Sequence, residues 1–273
     1  VIIEDLSEKQ NLRFKFVEEF QLQQYFMDYI PDSIYFKDTE SRFIKANKAT
    51  LNKMGLTSLD ELIGKSDFDI FNDEHAIQAK RDEEDIIRNR TSIINKIEKE
   101  TWINGKITWA ATTKIPLINE NNNVYGTFGI TRDITKIKKI EDVKDALLKI
   151  STAVTSLDSI NLVYAYIHNA VRELMKADNF YIAIHHQDTD TIKFPYFIDE
   201  MDESPVERKT GNGLTEYVLR SGKAHLIDAK LDLELREAGE TALIGEPTQI
   251  WLGVPLKVEG NTIGAIVVQD YDN

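Results

Sequence analysis

The stretch that decides the organisation of this chain lies at its centre, at residues 129–157, and reads GITRDITKIKKIEDVKDALLKISTAVTSL. Its first residues are β-branched or small in alternation, which is typical of a strand. Asp133-Ile134-Thr135 follows, and the side-chain oxygens of such a step can cap the first amides of a helix. The sequence therefore predicts a strand that passes directly into a helix.

The predicted helix carries a regular apolar spacing. Intervals of 3, 4, 3, 4 and 3 residues separate its apolar positions, which are Ile140, Val143, Leu147, Ile150, Val154 and Leu157. Two parallel copies of a helix bury such a heptad seam against each other. We therefore expect a helical linker at residues 136–157 that forms a homodimer. The alternative is a helix that packs on its own domain.

The composition limits the classes of function. With 273 residues the chain is long enough for two domains. It has no Cys, which excludes disulfides, thiolate metal sites and the flavin–cysteinyl and bilin–thioether chromophores. A net charge of -13 repels phosphate backbones, so we expect no nucleic-acid partner. The sequence shows no apolar run of about 18 residues and no secretory signal, so we expect a cytoplasmic fragment without a membrane segment.

Both sides of the linker show strand and helix patterns. Before it, a helix at residues 10–30 precedes short strands, a helix at 73–89 and a hairpin of strands 93–103 and 106–118 across Asn104-Gly105, a dipeptide that accepts positive φ angles. After it, a helix precedes a second strand-rich region that ends in a hairpin. We predict an α+β protein of two domains, each a central antiparallel sheet flanked by helices.

The first half resembles a PAS domain over about residues 20–135. Four blocks carry the resemblance: IPDSIYFKD at 30–38, FIKANKA at 43–49, GKSDFDIF at 64–71 and GITRDIT at 129–135. Residues 1–9 are similar in type to residues 129–137, so we interpret them as the tail of an upstream PAS domain in a longer protein. We place the N-terminal helix at residues 10–30 and the PAS domain at 31–135.

The second half resembles a GAF domain. The matching blocks are FPYF at 194–197, GLTEYVL at 213–219, WLGVPL at 251–256 and GAIVVQ at 264–269. We place this domain at residues 158–273. The GAF family normally adds a final helix after the last strand, and this chain lacks it.

A PAS domain followed by a GAF domain is similar to the sensory input region of sensor histidine kinases and, in some cases, of diguanylate cyclases. The resemblance implies signal reception and relay to a downstream kinase or cyclase domain. The sequence shows no catalytic motif, so we expect no enzyme activity in this fragment. The alternatives are a dimerisation scaffold that binds no ligand and, less favoured, a haem- or metal-based sensor.

Both families fold around a small pocket that can hold a ligand. From strand alternation and block position, the candidate pocket residues are Tyr35, Asn47, Phe68, Trp109 and Phe128 in the first half and Tyr196, Tyr217 and Trp251 in the second. A structural role is the alternative for each of them. Asn47, for example, can tie its strand to the next helix by bonding backbone amides. Asp133 and Thr135 are the candidate relay residues.

Histidines give no strong metal signal. A histidine on the helix of His75 ligates haem in some PAS proteins, but His75 follows a polar first turn. His185 and His186 are adjacent on a strand, point to opposite faces and so cannot chelate one metal. We predict no metal site, no required cofactor, and a possible small-molecule ligand of unknown identity.

Overall fold

The computed structural model describes residues 2–156, 159–203 and 206–272, without the side chains of residues 2–12 and 156. The chain divides into two compact units, Val1–Lys139 and Ile140–Asn273. Each unit holds one antiparallel sheet with flanking helices. The predicted α+β class with two sheets is therefore confirmed.

The first unit is a five-stranded sheet with helices around it. Its strands follow the order β2-β1-β5-β4-β3, and all neighbours are antiparallel. The elements are α1 (Ile2–Tyr29), β1 (Ser33–Lys37), β2 (Phe43–Ala46), α2 (Lys48–Met54), 3-10 turns at Leu59–Glu61 and Asp67–Asp69, α3 (Asp73–Asn89), β3 (Ile93–Thr101), β4 (Ile107–Ile118) and β5 (Val124–Asp133).

Helix α1 begins earlier than the sequence predicts. The similarity of residues 1–9 to the strand-to-helix stretch 129–137 predicts a strand at the N-terminus. This prediction is wrong for Ile2 and Ile3, which belong to α1, while Val1 lies outside the described residues. The physical reason is that residues 2–30 contain neither Gly nor Pro to stop a helix, and Pro31 is the first breaker. The assignment of residues 1–9 to an upstream domain stays a prediction.

Local signals set the bounds of the other elements. The Asn72 side chain caps α3 by accepting a hydrogen bond from the His75 amide at 3.1 Å, and Asp73 and Glu74 favour the positive end of the helix dipole. Gly105 has a φ of +80° in the turn between β3 and β4. The predicted bounds of α3 and of this hairpin turn are therefore confirmed.

Asn47 joins β1 to α2. Its side-chain oxygen accepts hydrogen bonds from the amides of Ile34 and Thr50, both at 3.0 Å, and its amide group donates to the Asp32 carbonyl at 2.9 Å. The side chain is 2% exposed, so water cannot replace these bonds. The predicted structural role through backbone amides is therefore confirmed for α2, but the strand that the Asn47 side chain bonds is β1 and not the preceding β2.

Replacing Asn47 tests this role. We expect Asn47→Ala to lower the free energy of unfolding of the first unit by about 2–4 kcal/mol, because it removes a helix cap and leaves buried backbone groups unpaired. Urea unfolding followed by tryptophan fluorescence measures the change. Asn52→Ala, at an exposed position of the same helix, is the matched control and should change stability by less than about 0.5 kcal/mol. Equal effects of the two substitutions would contradict the proposed role.

The second unit is a six-stranded sheet between helices. Its strands follow the order β8-β7-β6-β11-β10-β9, all antiparallel. The elements are α4 (Thr135–Ser156), which begins in the first unit, α5 (Ile160–Leu174), β6 (Asn179–His186), β7 (Thr191–Ile198), β8 (Glu207–Lys209), α6 (Leu214–Ser221), β9 (His225–Asp228), α7 (Ala229–Glu237), β10 (Ile250–Val258) and β11 (Asn261–Asp270).

Strand alternation gives this sheet two apolar faces. Phe180 and Ile182 pack with α5, whereas Tyr181 and Ala183 pack with α6 and α7 on the other side. Successive side chains of a strand point to opposite faces, so one strand serves both cores. The sheet of the second unit is therefore covered by helices on both sides.

Candidate functional site

The buried face of β4 is the polar one. Thr108, Thr112 and Lys114 are each at most 4% exposed, whereas Ile107 on the opposite face is 48% exposed. The hydroxyl groups are satisfied locally: Thr108, for example, donates to Glu100 at 2.6 Å and accepts from the Trp102 ring nitrogen at 2.8 Å. The core of the first unit consequently combines an apolar cluster around Phe43 and Leu62 with charged and hydrogen-bonded side chains on the face of β4.

The centre of this core is a cluster of four charged side chains, which we call the charge cluster: Lys37, Asp67, Glu83 and Lys114. Oε1 of Glu83 accepts hydrogen bonds from Nζ of Lys37 at 2.8 Å and from Nζ of Lys114 at 2.9 Å. Lys37 also bonds Asp67. All four side chains are at least nine-tenths buried. Two cations therefore meet two anions, and the cluster is neutral as a whole.

The charges in the cluster hold one another ionised. Burial alone would raise the pKa of Glu83, but the ammonium groups of Lys37 and Lys114 outweigh it and lower that pKa to about 2. Burial would lower the pKa of Lys37, and Asp67 and Glu83 reverse this and raise it. Tyr35, beside the cluster, has a pKa raised by burial and stays neutral.

The cluster predicts a stability loss in acid. The pKa of Glu83 is about 2 in the folded protein against an ordinary 4.5, so the unfolded state binds more protons in this range. The stabilisation by Glu83 is present above about pH 4.5 and is lost as the pH falls toward 2. We expect Glu83→Gln to cost about 3–5 kcal/mol at pH 7, because it leaves two buried ammonium groups short of an anion.

Urea unfolding of both proteins between pH 7 and pH 2.5 measures this effect. The difference in unfolding free energy between wild type and Glu83→Gln should shrink as the pH falls. Glu84→Gln, at the adjacent exposed position, is the control and should follow the wild type. A difference that is independent of pH would contradict the assigned ionisation of Glu83.

A small cavity of about 40 Å³ adjoins the charge cluster. Of the residues that the sequence places in the pocket of the first half, Tyr35 lines this cavity. Asn47 caps α2 instead, and Phe68 is 41% exposed. The Phe128 ring packs at a tilt against the Phe36 ring, with ring centroids 5.0 Å apart, and does not line the cavity.

Trp109 lies on the outer face of β4, away from the charge cluster. Nζ of Lys138 lies 6.0 Å from the centroid of the Trp109 ring. The backbone carbonyl of Trp109 accepts a hydrogen bond from the Ile134 amide at 2.9 Å. Trp109 therefore packs against the start of α4 and not into the cavity. The reason is the buried ion pairing of Lys114, which draws the polar face of the strand inward.

Sequence reasoning missed all four residues of the charge cluster. Lys37 and Lys114 lie 77 positions apart in the chain, and no local pattern joins them. The alternation of β4 does place Lys114 on the face of Thr108 and Thr112, and that was the available signal. His75 lines the same cavity and packs 4.6 Å from the Phe71 ring.

The second unit contains a larger cavity of about 210 Å³, which we call the aromatic cavity. Four rings line it: Tyr181, Phe194, Phe197 and Trp251. Of the three residues that the sequence places in this pocket, Trp251 lines it. The Tyr181 and Phe197 rings stack at 5.3 Å, and the Trp251 ring nitrogen donates to the Tyr181 hydroxyl at 3.4 Å. The rings therefore form one continuous wall.

Tyr196 and Tyr217 do not line the aromatic cavity. Tyr196 lies on the α5 side of the sheet, where its hydroxyl is 3.0 Å from Nδ1 of His168. Tyr217 packs 4.7 Å from the ring of His225. The sequence signal missed Tyr181, Phe194 and Phe197. Regular alternation would place Phe194 and Phe197 on opposite faces of β7, but the pairing of β6 and β7 shifts register between Ile182 and Ile184, and both rings pack on the side of Tyr181.

The structure gives no sign of a metal centre in the part of the chain it describes. No three His, Asp or Glu side chains of residues 2–156, 159–203 and 206–272 come together as a metal site requires. His185 lies 3.5 Å from Asp190, and neither His185 nor His186 lines the aromatic cavity. Among the described helices, none has the length and apolar composition needed to cross a bilayer.

Two comparisons with curated proteins found signalling proteins. The chain is 23% identical over 126 residues to a diguanylate cyclase of Vibrio cholerae serotype O1, covering 46% of this chain and 39% of that protein. It is 26% identical over 163 residues to the methanogenesis regulatory histidine kinase FilI of Methanothrix harundinacea, covering 57% of this chain and 18% of that protein. The chain thus spans well under half the length of either relative.

Among solved structures, a PAS domain from Colwellia psychrerythraea is 23% identical with a TM-score of 0.38, covering 43% of this chain and 98% of that one. The family described as PAS fold matches residues 27–139, which are the five-stranded unit. The match does not include the second unit, whose GAF assignment stays a prediction. The first unit of this chain, over residues 27–139, is a PAS domain.

Proposed function

We propose that this chain is a sensory PAS–GAF module without catalytic activity, the input region of a signal-transduction protein and most specifically of a sensor histidine kinase. The observation that carries the proposal is the junction of β5 and α4. The central strand of the PAS sheet ends at Asp133, and α4 begins two residues later at Thr135 and runs to Ser156. A change in the sheet can therefore pass to a helix without a flexible loop between them.

Hydrogen bonds fix the start of α4 to the sheet. The Thr135 hydroxyl accepts the Trp109 amide at 2.9 Å, and the Ile134 amide donates to the Trp109 carbonyl at 2.9 Å. The Asp133 carboxylate accepts the Thr135 amide at 2.8 Å. Burial would raise the pKa of Asp133, and the bonds from Thr135 outweigh it and lower that pKa. These contacts support the proposed relay role of Asp133 and Thr135.

The apolar seam of α4 supports the proposed homodimer. Ile140, Leu147 and Val154 are each 56% exposed or more, whereas Ala146 and Ala153 of the same helix are buried. The helix therefore packs through its alanines and leaves the larger side chains of the seam uncovered. Ile150 is half-buried, and Leu157 lies outside the described residues. A second copy of the helix would cover this seam.

The two curated relatives support a signalling role, but they are different kinds of enzyme. One is a histidine kinase and the other a diguanylate cyclase, so the proposed downstream domain is a kinase, with a cyclase as the alternative. A scaffold that binds no ligand is the other candidate for the PAS domain. The observation that favours it is the cavity of about 40 Å³, since binding pockets usually exceed about 300 Å³.

Replacing one seam residue tests the dimer. We expect Leu147→Glu to convert a dimer into a monomer at micromolar concentration, because it places like charges opposite each other in an apolar seam. Analytical ultracentrifugation of the chain measures this. Leu148→Glu is the matched control, since Leu148 has nearly the same exposure but lies outside the seam. Identical sedimentation of wild type and Leu147→Glu would overturn the dimer proposal.

Replacing Asp133 tests the junction. We expect Asp133→Ala to speed amide hydrogen exchange at residues 135–138 by about tenfold, because the first turn of α4 loses a cap worth about 1 kcal/mol. Exchange at β3 should be unchanged. Asp142→Ala, at an exposed position of the same helix, is the control. Unchanged exchange at residues 135–138 would show that Asp133 does not hold the junction.

A further inference from the structure

The aromatic cavity has the size and the walls of a site for a small ligand. It is bounded by β6, β7 and β10, by the start of α6 and by the loop at residues 242–248. Its volume of about 210 Å³ lies just below the usual range for drug-sized ligands, about 300–1,000 Å³. A ligand with one ring or a short chain matches this space.

The polar atoms of the aromatic wall are used within the wall. The Tyr181 hydroxyl lies 2.9 Å from the Thr215 hydroxyl and also accepts the Trp251 ring nitrogen. These side chains are therefore available to a ligand mainly through the faces of their aromatic rings. Aromatic faces attract apolar groups and, through the ring quadrupole, cations.

Among the described residues that line the cavity, the single Arg, Arg208, is already neutralised. Arg208 forms two hydrogen bonds with the carboxylate of Glu216, which also accepts the amides of Gly211 at 2.8 Å and Gly213 at 3.1 Å. Glu216 is 1% exposed, so this pair is fixed in place. Arg208 therefore has no charge left over to attract an anionic ligand.

One of the lining carboxylates is likewise neutralised, and three are not. Asp232 pairs with Arg236 at 3.0 Å. Asp202, Glu203 and Glu246 also line the cavity, and no cation lies within ion-pair distance of them in the described part of the chain. From the described residues Asp202 accepts only long hydrogen bonds, from the Glu246 amide at 3.3 Å and from the Tyr271 hydroxyl at 3.4 Å.

A further carboxylate lies behind Asp202. Asp199 accepts the Tyr271 hydroxyl at 2.9 Å and the side-chain amide of Gln269, another lining residue, at 2.6 Å. Burial first, and then Asp199 and Asp202, raise the pKa of Tyr271, so the phenol stays neutral. None of these partners brings a positive charge, so the uncompensated charges among the described lining residues are all negative.

We propose that the aromatic cavity binds a small organic cation, an amine or quaternary ammonium group on an apolar body. The cationic group lies against Asp202 and Glu203, and the body packs on Trp251 and Phe197. Anions such as nucleotides are repelled by the same carboxylates. The ligand class deepens the sensory role proposed above, and its physiological meaning rests on that role, but the binding itself can be measured independently.

Isothermal titration calorimetry of the whole chain tests the proposal with matched probes. Phenethylamine and choline are the cations, phenethyl alcohol is the neutral probe and phenylpropionate the anion. We expect at least one cation to bind at least about tenfold more tightly than the alcohol, and the anion to bind weakest. Cation binding should also weaken as salt is added.

Two variants locate the site. Asp202→Asn and Glu203→Gln should each weaken cation binding by about tenfold and leave binding of the alcohol unchanged, because only the charge is removed. Glu203 is exposed, so its replacement does not endanger folding. Asp188→Asn, an exposed carboxylate of the turn between β6 and β7, is the control and should bind like the wild type.

Several outcomes would overturn the proposal. One is the absence of binding of either cation up to about 10 mM, which corresponds to an affinity too weak for a specific site. Another is equal binding of the alcohol or the anion, and a third is unchanged cation binding in both variants. Failure of the Leu147→Glu test would remove the dimeric relay and leave these binding results intact, so the two proposals fail separately.

Discussion

The PAS domain depends on the ion pairs that Glu83 makes with Lys37 and Lys114. Each of these charges would cost several kcal/mol to bury alone, so each element that carries one is held in place by the others. Lys37 belongs to β1, Lys114 to β4 and Glu83 to α3. The packing of α3 on the sheet is therefore fixed by charge pairing rather than by apolar contact alone.

The side chains buried in each unit determine how much cavity volume remains for a ligand. The charge cluster occupies part of the interior of the PAS domain, beside an apolar cluster and a cavity of about 40 Å³. The second unit buries aromatic rings on the α6 side of its sheet and keeps about 210 Å³ open. Rings pack edge to face and leave gaps, whereas paired charges must approach within hydrogen-bond distance. Ligand binding is accordingly proposed for the second unit.

The position of β5 supports the relay that we propose through its junction with α4. This strand lies between β1 and β4, which carry the two lysines of the charge cluster. A shift of α3 would move these lysines and, through the ladder hydrogen bonds, the strand that leads into α4. The same backbone thus joins the charged core of the PAS domain to the exposed seam between Ile140 and Val154.

The sequence by itself determined the local structure. The Asn72 cap and acidic first turn fix the start of α3, Asn104-Gly105 fixes a hairpin, and Asp133 and Thr135 mark the strand-to-helix junction. Such signals act between residues a few positions apart, so they can be recognised without the fold.

Only the tertiary structure decided which face of β4 is buried and which side chains meet. The sequence placed Trp109 inside and gave no role to Lys114, because a lysine normally faces water. Burial of Lys114 becomes favourable only where Glu83, 31 residues away in the chain, supplies the opposite charge. Likewise, the aromatic cavity exists because β6, β7 and β10 bring distant rings together, and no local pattern records that proximity.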